Sequence, residues 1–308
     1  MKYRIIHKTE YVYDEPASLC YNEARLAPRS LSLPMFEQIC LNWRITVDPP
    51  YNDYRERTDF FGNNCLYFTV PETHEEMIIT ATSEVQIDPV WDKDHTVPRA
   101  DLLEREAKRS PAWEVVRNQL QTDLFTDSVQ ARQFVMNSPL VVVTPEIAAY
   151  AAPSFDRGRP LLEAVYDLMQ RIYFEFDFVS GVTTIATPLA EVIEKRRGVC
   201  QDFAHLMVAC LRAKGLAARY VSGYIETLPP PGEEKLEGAD ASHAWCSVFV
   251  PGPGWIDFDP TNNLIPKDQH IVLGWGRDFS DVTPLKGVFF SHGKHKLQVE
   301  VDVTRVQP

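Results

Sequence analysis

Cys200 lies in the run Arg196-Arg197-Gly198-Val199-Cys200-Gln201-Asp202-Phe203-Ala204-His205-Leu206-Met207. Phe203, Leu206, Met207, Cys210 and Leu211 recur at three- and four-residue spacing, and Gly215 follows Lys214 as a stop. The spacing predicts an amphipathic helix from about Val199 to Lys214 with Cys200 at its N-terminus. Unpaired N–H groups and the positive end of the helix dipole favour a thiolate there, and Arg196 and Arg197 add positive charge. Asp202, in the same first turn, opposes this if it points at the sulfur. A cysteine without partners is more often a small buried hydrophobe, so the chemistry depends on what else the fold brings to it.

Ser242 to Val250 reads as a strand, Pro251-Gly252-Pro253-Gly254 as a turn, and Trp255 to Asp259 as a returning strand. A five-residue loop from Val250 to Gly254 sets Phe249 opposite Trp255, Trp245 opposite Asp259 and His243 opposite Thr261. His243 and Asp259 are then diagonal neighbours on one face, with backbones roughly 7–8 Å apart, and the carboxylate can orient the imidazole. Asp257 shares that face but stands further off. A four-residue loop would slip the register and put His243 and both aspartates on opposite faces. Helix-terminal Cys200, strand His243 and strand Asp259 supply a nucleophile, a general base and an orienting group.

These residues need a scaffold, and the rest of the chain reads as one. From Lys2 to about Asp88 the pattern alternates with period two between turn signals at Asp48-Pro49-Pro50, Gly62-Asn63-Asn64 and Pro71, which predicts five or six short strands in a small β-sandwich. From residue 89 to 139 charge clusters and the spacing of Trp113, Val116 and Leu120 predict connecting helices. A helix opens at Pro160 and buries Leu161, Val165, Leu168 and Ile172 on one face. The tail from Lys296 to Val306 alternates again and ends the chain as a strand. The expectation is an α+β protein: an N-terminal β-rich domain over 1–88, a helical connection over 89–139, and a catalytic domain over 140–308 that includes the C-terminal strands.

Gly198-Val199-Cys200-Gln201-Asp202-Phe203-Ala204-His205, His243-Ala244-Trp245 and Asp259-Pro260-Thr261-Asn262 resemble the three motifs of the transglutaminase-like superfamily in its bacterial branch. His7-Lys8-Thr9-Glu10-Tyr11-Val12-Tyr13 with Leu26-Ala27-Pro28-Arg29 resembles that branch's β-rich N-terminal domain, and Gly276-Arg277-Asp278-Phe279-Ser280-Asp281-Val282 its C-terminal segment. The resemblance implies a papain-like α+β core in which Cys200 attacks a carboxamide or ester carbonyl, His243 relays the proton, Asp259 holds the ring, and a thioester passes to water or an amine. Such chemistry requires an oxyanion hole, for which the Cys200 backbone N–H and a donor within residues 181–187 are the candidates. Gln201 and Asp202 match the motif and serve equally as helix-capping residues.

Composition narrows the partners. The formal charge is −12, with 31 Lys+Arg against 43 Asp+Glu and no basic run, which argues against nucleic acid and anionic membrane surfaces. No apolar stretch long enough to span a membrane and no signal-peptide core is present, so a reducing cytoplasm is the expectation, with Cys20, Cys40, Cys65, Cys210 and Cys246 as buried thiols. The Cys and His residues lack metal-ligand spacing, and no metal or cofactor is expected. His205 sits about 140° around the helix from Cys200 and reads as structural. Trp245 and Trp255 read as core or cleft walls, and Pro229-Pro230-Pro231-Gly232-Glu233-Glu234 as a lip of the cleft. The functional expectation is hydrolysis of peptide or protein amide bonds, against transfer of a glutamine acyl group to an amine, or a non-catalytic protein-binding module. Oligomeric state is left open.

Overall fold

A computed structural model of the chain describes residues 1–227 and 242–306. The Pro229 to Glu234 loop lies outside these residues. Seven strands come first: β1 (Lys2–Ala17), β2 (Cys20–Ala24), β3 (Leu31–Ser32), β4 (Phe36–Asp48), β5 (Asn52–Thr58), β6 (Asn64–Val70) and β7 (His74–Pro89). Helices α1 (Arg99–Glu106), α2 (Trp113–Thr122), α3 (Thr126–Ala131), α4 (Pro145–Ala151) and α5 (Leu161–Glu175) follow. Next come β8 (Asp177–Phe178), α6 (Leu189–Lys195), β9 (Arg197–Gly198), α7 (Cys200–Ala213), β10 (Ala218–Ile225), β11 (Ser242–Val250), β12 (Gly254–Phe258), β13 (His270–Gly276), β14 (Leu285–Phe289) and β15 (His295–Arg305). The fold is α+β.

A five-stranded sheet (β15-β1-β7-β4-β3) and a four-stranded sheet (β14-β2-β6-β5) share an apolar layer that includes Tyr13, Leu26, Leu66, Phe68, Met77 and Ile79. The period-two reading of residues 2–88 therefore finds its two sheets, but the chain's last strands correct the expected division. β15 pairs antiparallel with β1 along Tyr3↔Arg305 to Tyr13↔His295, and β14 pairs with β2. The C-terminal strands belong to the N-terminal sheets rather than to the segment over 140–308, because β1 and β2 would otherwise present open edges. The inward faces of Val301 and Val303 are buried with Tyr3, Ile5, Val85 and Ile87 against the helices.

The third sheet (β12-β11-β10-β13) lies against α7. This helix departs from the amphipathic expectation: every residue from Asp202 to Arg212 is buried. β10 and β11 cover one side and α4, α5 and α6 the other, and a helix enclosed in this way has no solvent face. Two of its buried polar residues, His205 and Arg212, bond to neighbouring elements. His205 Nε2 accepts the Phe279 N–H at 3.1 Å, and Arg212 donates to the carbonyls of Phe134 (2.9 Å) and Ala218 (3.0 Å) and to Ser138 Oγ (3.1 Å).

Two buried amides fasten the sandwich to the free edge of β13. Gln38 Nε2 donates to the Val272 carbonyl while Gln38 Oε1 accepts the Val272 N–H, both at 2.8 Å. Asn63 repeats the arrangement at Trp275, with both bonds at 2.9 Å. Side-chain amides here do what a fifth strand would do, and the edge is closed.

Candidate active site

The β11–β12 hairpin takes the expected register, with Phe249 opposite Trp255 and Cys246 opposite Phe258. Asp259 then leaves the strand into a tight turn. Its backbone pairs with Leu264, and its Oδ1 accepts the N–H groups of Thr261 (2.9 Å) and Asn262 (3.2 Å). Side chain and backbone close the turn together, which explains why an aspartate fits ahead of Pro260-Thr261-Asn262. Oδ2 is left facing His243, whose Nε2–H donates to it at 2.8 Å. Asp259 is fully buried and His243 is 7% exposed, so the pair is held almost out of water. Asp257 is elsewhere: its Oδ2 accepts the Trp245 Nε1–H at 2.9 Å.

Cys200 meets this pair from the other side. Its backbone is the first residue of α7, and its side chain is half-buried beside Ala204, Tyr220 and Ala244, near enough to His243 to act on that imidazole. With Nε2 committed to Asp259, Nδ1 is the ring nitrogen left for the thiol. Burial alone would depress the His243 pKa. The Asp259 carboxylate and the contact with Cys200 outweigh it and push His243 up to about 10. Burial likewise works to raise Asp259, but His243 and His270 hold it well below the usual carboxylate range. The other five thiols are all pushed up by burial, Cys65 and Cys210 to about 12. Cys40 among them is half-buried rather than buried.

The start of α7 is fixed by Asp202, which reaches back to accept the Val199 N–H at 2.8 Å and is itself held by the Thr183 hydroxyl at 2.7 Å. Asp202 thus caps the helix. Gly198 makes room for it, since a Cβ there would stand 2.8 Å from Asp202 Oδ2. Within residues 181–187 the Thr183 hydroxyl is occupied by Asp202, and the Thr184 N–H by Thr187 Oγ1 at 2.8 Å. Arg196 turns away from the thiol: it pairs with Glu175 at 3.1 Å and stacks on Tyr150 and Phe176.

Sequence reasoning overlooked His270 and the side chain of Asn262. His270 Nε2–H donates to Asp259 Oδ2 at 2.9 Å, and Asn262 Nδ2 donates to the same oxygen at 2.8 Å. His270 is 1% exposed, and its Nδ1 has no hydrogen-bond partner among the described residues. It reaches the site because β13 adds beside β10, not beside β12. Gly223 on β10 lies opposite both His243 and Val272, and a Cβ there would stand 2.0 Å from the Ile271 carbonyl oxygen and 2.6 Å from the Trp245 ring. No sequence spacing encodes that neighbourhood. His243, Asp259 and His270 do place three metal-ligating atoms within 4.8 Å. However, both ring nitrogens lie at hydrogen-bond distance from one carboxylate oxygen, whereas tetrahedral zinc ligands at about 2.05 Å from the metal stand about 3.4 Å apart. The arrangement is that of a carboxylate collecting donors.

Residues 3–86 match the model of the bacterial transglutaminase-like N-terminal region, and residues 148–260 that of the transglutaminase-like superfamily. An uncharacterized protein of Mycobacterium tuberculosis is 40% identical over 307 residues, which cover 98% of this chain and 92% of that protein. The chain belongs to the transglutaminase-like superfamily. A solved chain from Cytophaga hutchinsonii, described provisionally as a cysteine protease, shares the fold at TM-score 0.73 and 22% identity, over 100% of this chain and 92% of that one. A stretch of 77 residues is 36% identical to a protein-glutamine gamma-glutamyltransferase of Pseudomonas aeruginosa, spanning 25% of this chain and 12% of that protein. The helix and hairpin motifs come from separate parts of the sequence and meet here through α7 and β11. Trp245 is core, fully buried; Trp255 is half-buried at the far end of the hairpin. Among the described residues no helix is long and apolar enough to cross a membrane.

Proposed function

We propose that the chain is a cysteine-dependent acyl-transfer enzyme that hydrolyses amide bonds of peptides or proteins, with Cys200 as nucleophile, His243 as acid and base and Asp259 as the orienting carboxylate. The observation that carries the reading is the His243–Asp259 pair, closed at 2.8 Å on a fully buried carboxylate, with the half-buried Cys200 at the start of α7 beside it. With a proton already held on His243, Cys200 attacks as the thiolate of that pair, and its sulfur adds to the carbonyl carbon. The tetrahedral adduct then collapses, the C–N bond breaks, and His243 returns the proton to the leaving amine. Water attacks the resulting thioester with the now neutral His243 as base, the C–S bond breaks, and the acid leaves with the thiolate and protonated His243 restored. The Cys200 backbone N–H, first in α7 and without a helical acceptor, is one donor for the oxyanion. A reducing cytoplasm suits a chain whose six thiols are all unpaired.

The local likeness to the glutamine-directed transferase of Pseudomonas aeruginosa favours a second reading, in which an amine replaces water. The decisive experiment is intact-mass detection of a thioester on Cys200 with a library of glutamine-containing peptides and dipeptide amides, followed by partition between water and added amine. An acyl adduct absent from Cys200→Ala is expected. Selective alkylation of Cys200 at neutral pH, suppressed in His243→Ala, is expected beside it, with Cys40 as the internal comparison. Alkylation no faster than at Cys40, with no adduct from any substrate, leaves the binding-module reading instead.

A further inference from the structure

The end of the third sheet remote from His243 holds a second set of polar groups that the acyl-transfer reading does not use. Arg219 lies opposite Ser247 on β11, four residues and roughly 13 Å along the strand from His243. Its guanidinium is stacked between two indoles, 3.8 Å from the Trp275 ring centre and 4.3 Å from that of Trp255. On the opposite face of this ladder Arg29, from the N-terminal sandwich, lies 3.6 Å from Trp275. The order is therefore Arg29, Trp275, Arg219, Trp255, a stack of alternating cations and rings. Arg219 is 3% exposed, and its Nε and Nη2 have no hydrogen-bond partner among the described residues. The two guanidiniums repel each other, while Asp257 offsets this in part.

Both arginines line a cavity of about 670 Å³, whose walls include Trp255, Trp275, Phe134 and Phe249. Asp127 is the one acidic residue of its lining. In a chain of charge −12 this is a locally positive, aromatic chamber. It is also stiff: Arg29 Nη1 is tied to the Phe61 carbonyl at 2.9 Å and to Asn63 Oδ1 at 2.8 Å, and Asn63 in turn holds the Trp275 backbone. A volume of this size suits a small organic molecule. Planar guanidiniums fixed on ring faces present their N–H edges to an oxyanion.

We propose that this chamber is a binding site for a compact organic anion, an aromatic or flat apolar body bearing one carboxylate or phosphate that faces Arg29 and Arg219. The proposal goes beyond the acyl-transfer reading and does not depend on it. To keep the two separate, the test uses the full chain carrying Cys200→Ala. Benzoate and phenyl phosphate are titrated separately, with benzamide as the neutral control, following tryptophan fluorescence and the midpoint of thermal unfolding. The expected result is saturable quenching and a raised midpoint with at least one acid and neither with benzamide; the stronger acid distinguishes carboxylate from phosphate. Arg29→Gln is expected to weaken binding roughly tenfold, the loss of one charge-assisted contact. Arg219→Lys, which keeps the charge but not the planar stack, is expected to weaken it too, with circular dichroism as the check on folding. The proposal is overturned if neither acid saturates below roughly 10 mM, if benzamide responds equally, or if a folded Arg29→Gln chain binds unchanged.

Discussion

At the scale of the residue, the unusual group is Asp259, which gathers His243, His270, Asn262 and two backbone N–H groups on one buried carboxylate. Each donor favours the ionised form, and the ion in turn holds a proton on His243. Because the folded-state pKa of His243 is raised from 6.5 to about 10, the stability it contributes is complete below about pH 6.5 and is lost as pH rises through about 10. Asp259, shifted the other way, contributes above the ordinary carboxylate range and loses that contribution as pH falls. Neutralising the carboxylate leaves burial as the dominant influence on the imidazole. In Asp259→Asn the His243 ring signal, followed by nitrogen-15 NMR, is therefore expected to titrate at or below 6.5 instead of near 10. A midpoint still near 10 in that variant would show that Asp259 is not what holds the proton.

At the scale of the element, the placement of α7 and β10 depends on residues that touch no thiol. Gly223 lets β13 close against β10 beneath the Trp245 ring. Gly223→Ala is expected to lower stability by about 1–3 kcal/mol, because its Cβ meets backbone that cannot rotate away, and to slow Cys200 alkylation by displacing His270 and Trp245. Urea unfolding beside the alkylation rate reads both. Two buried histidines join elements in the same way. His7 on β1 contacts the Tyr224 hydroxyl of β10 at 2.9 Å, and His205 on α7 accepts from Phe279. Burial pushes both down to about 4. The unfolded chain takes up these protons first, so stability is expected to fall as pH drops from about 6.5 towards 4. Urea midpoints across that range measure the slope. His205→Gln, which keeps an acceptor but does not titrate, is expected to flatten it.

At the scale of the whole molecule, the sandwich and the third sheet are joined through Gln38 and Asn63, and we read the chain as a sandwich closed by its own C-terminus and clasped to a core. Gln38→Ala would leave the N–H and carbonyl of Val272 without those partners in a buried position. The Val272 carbonyl keeps the Arg29 N–H at 3.3 Å, so the expected loss is about 1–3 kcal/mol for the orphaned Val272 N–H, seen as a lower thermal midpoint and faster amide exchange along β13. Unchanged exchange at Val272 would count against the clasp. The same junction builds the Arg29–Trp275 stack, so the variant is also expected to weaken the anion response of the chamber.

Local physics made much of this protein legible in its sequence. Period-two alternation gave away the sandwich strands, three- and four-residue spacing gave away α5 and α7, and the short Pro-Gly turn left two registers, of which the structure takes the one that sets Phe249 opposite Trp255. That register is why the aspartate facing His243 could be chosen as Asp259 over Asp257. Tertiary structure alone decided what depends on contacts between distant segments. Strand order placed His270 on Asp259, edge pairing carried β14 and β15 back to the first strands, and packing on both sides enclosed α7. It also turned Arg196 to Glu175 and stacked Arg29 and Arg219 about Trp275. Periodicity reports which face of an element is apolar; it carries no record of which distant element will cover that face.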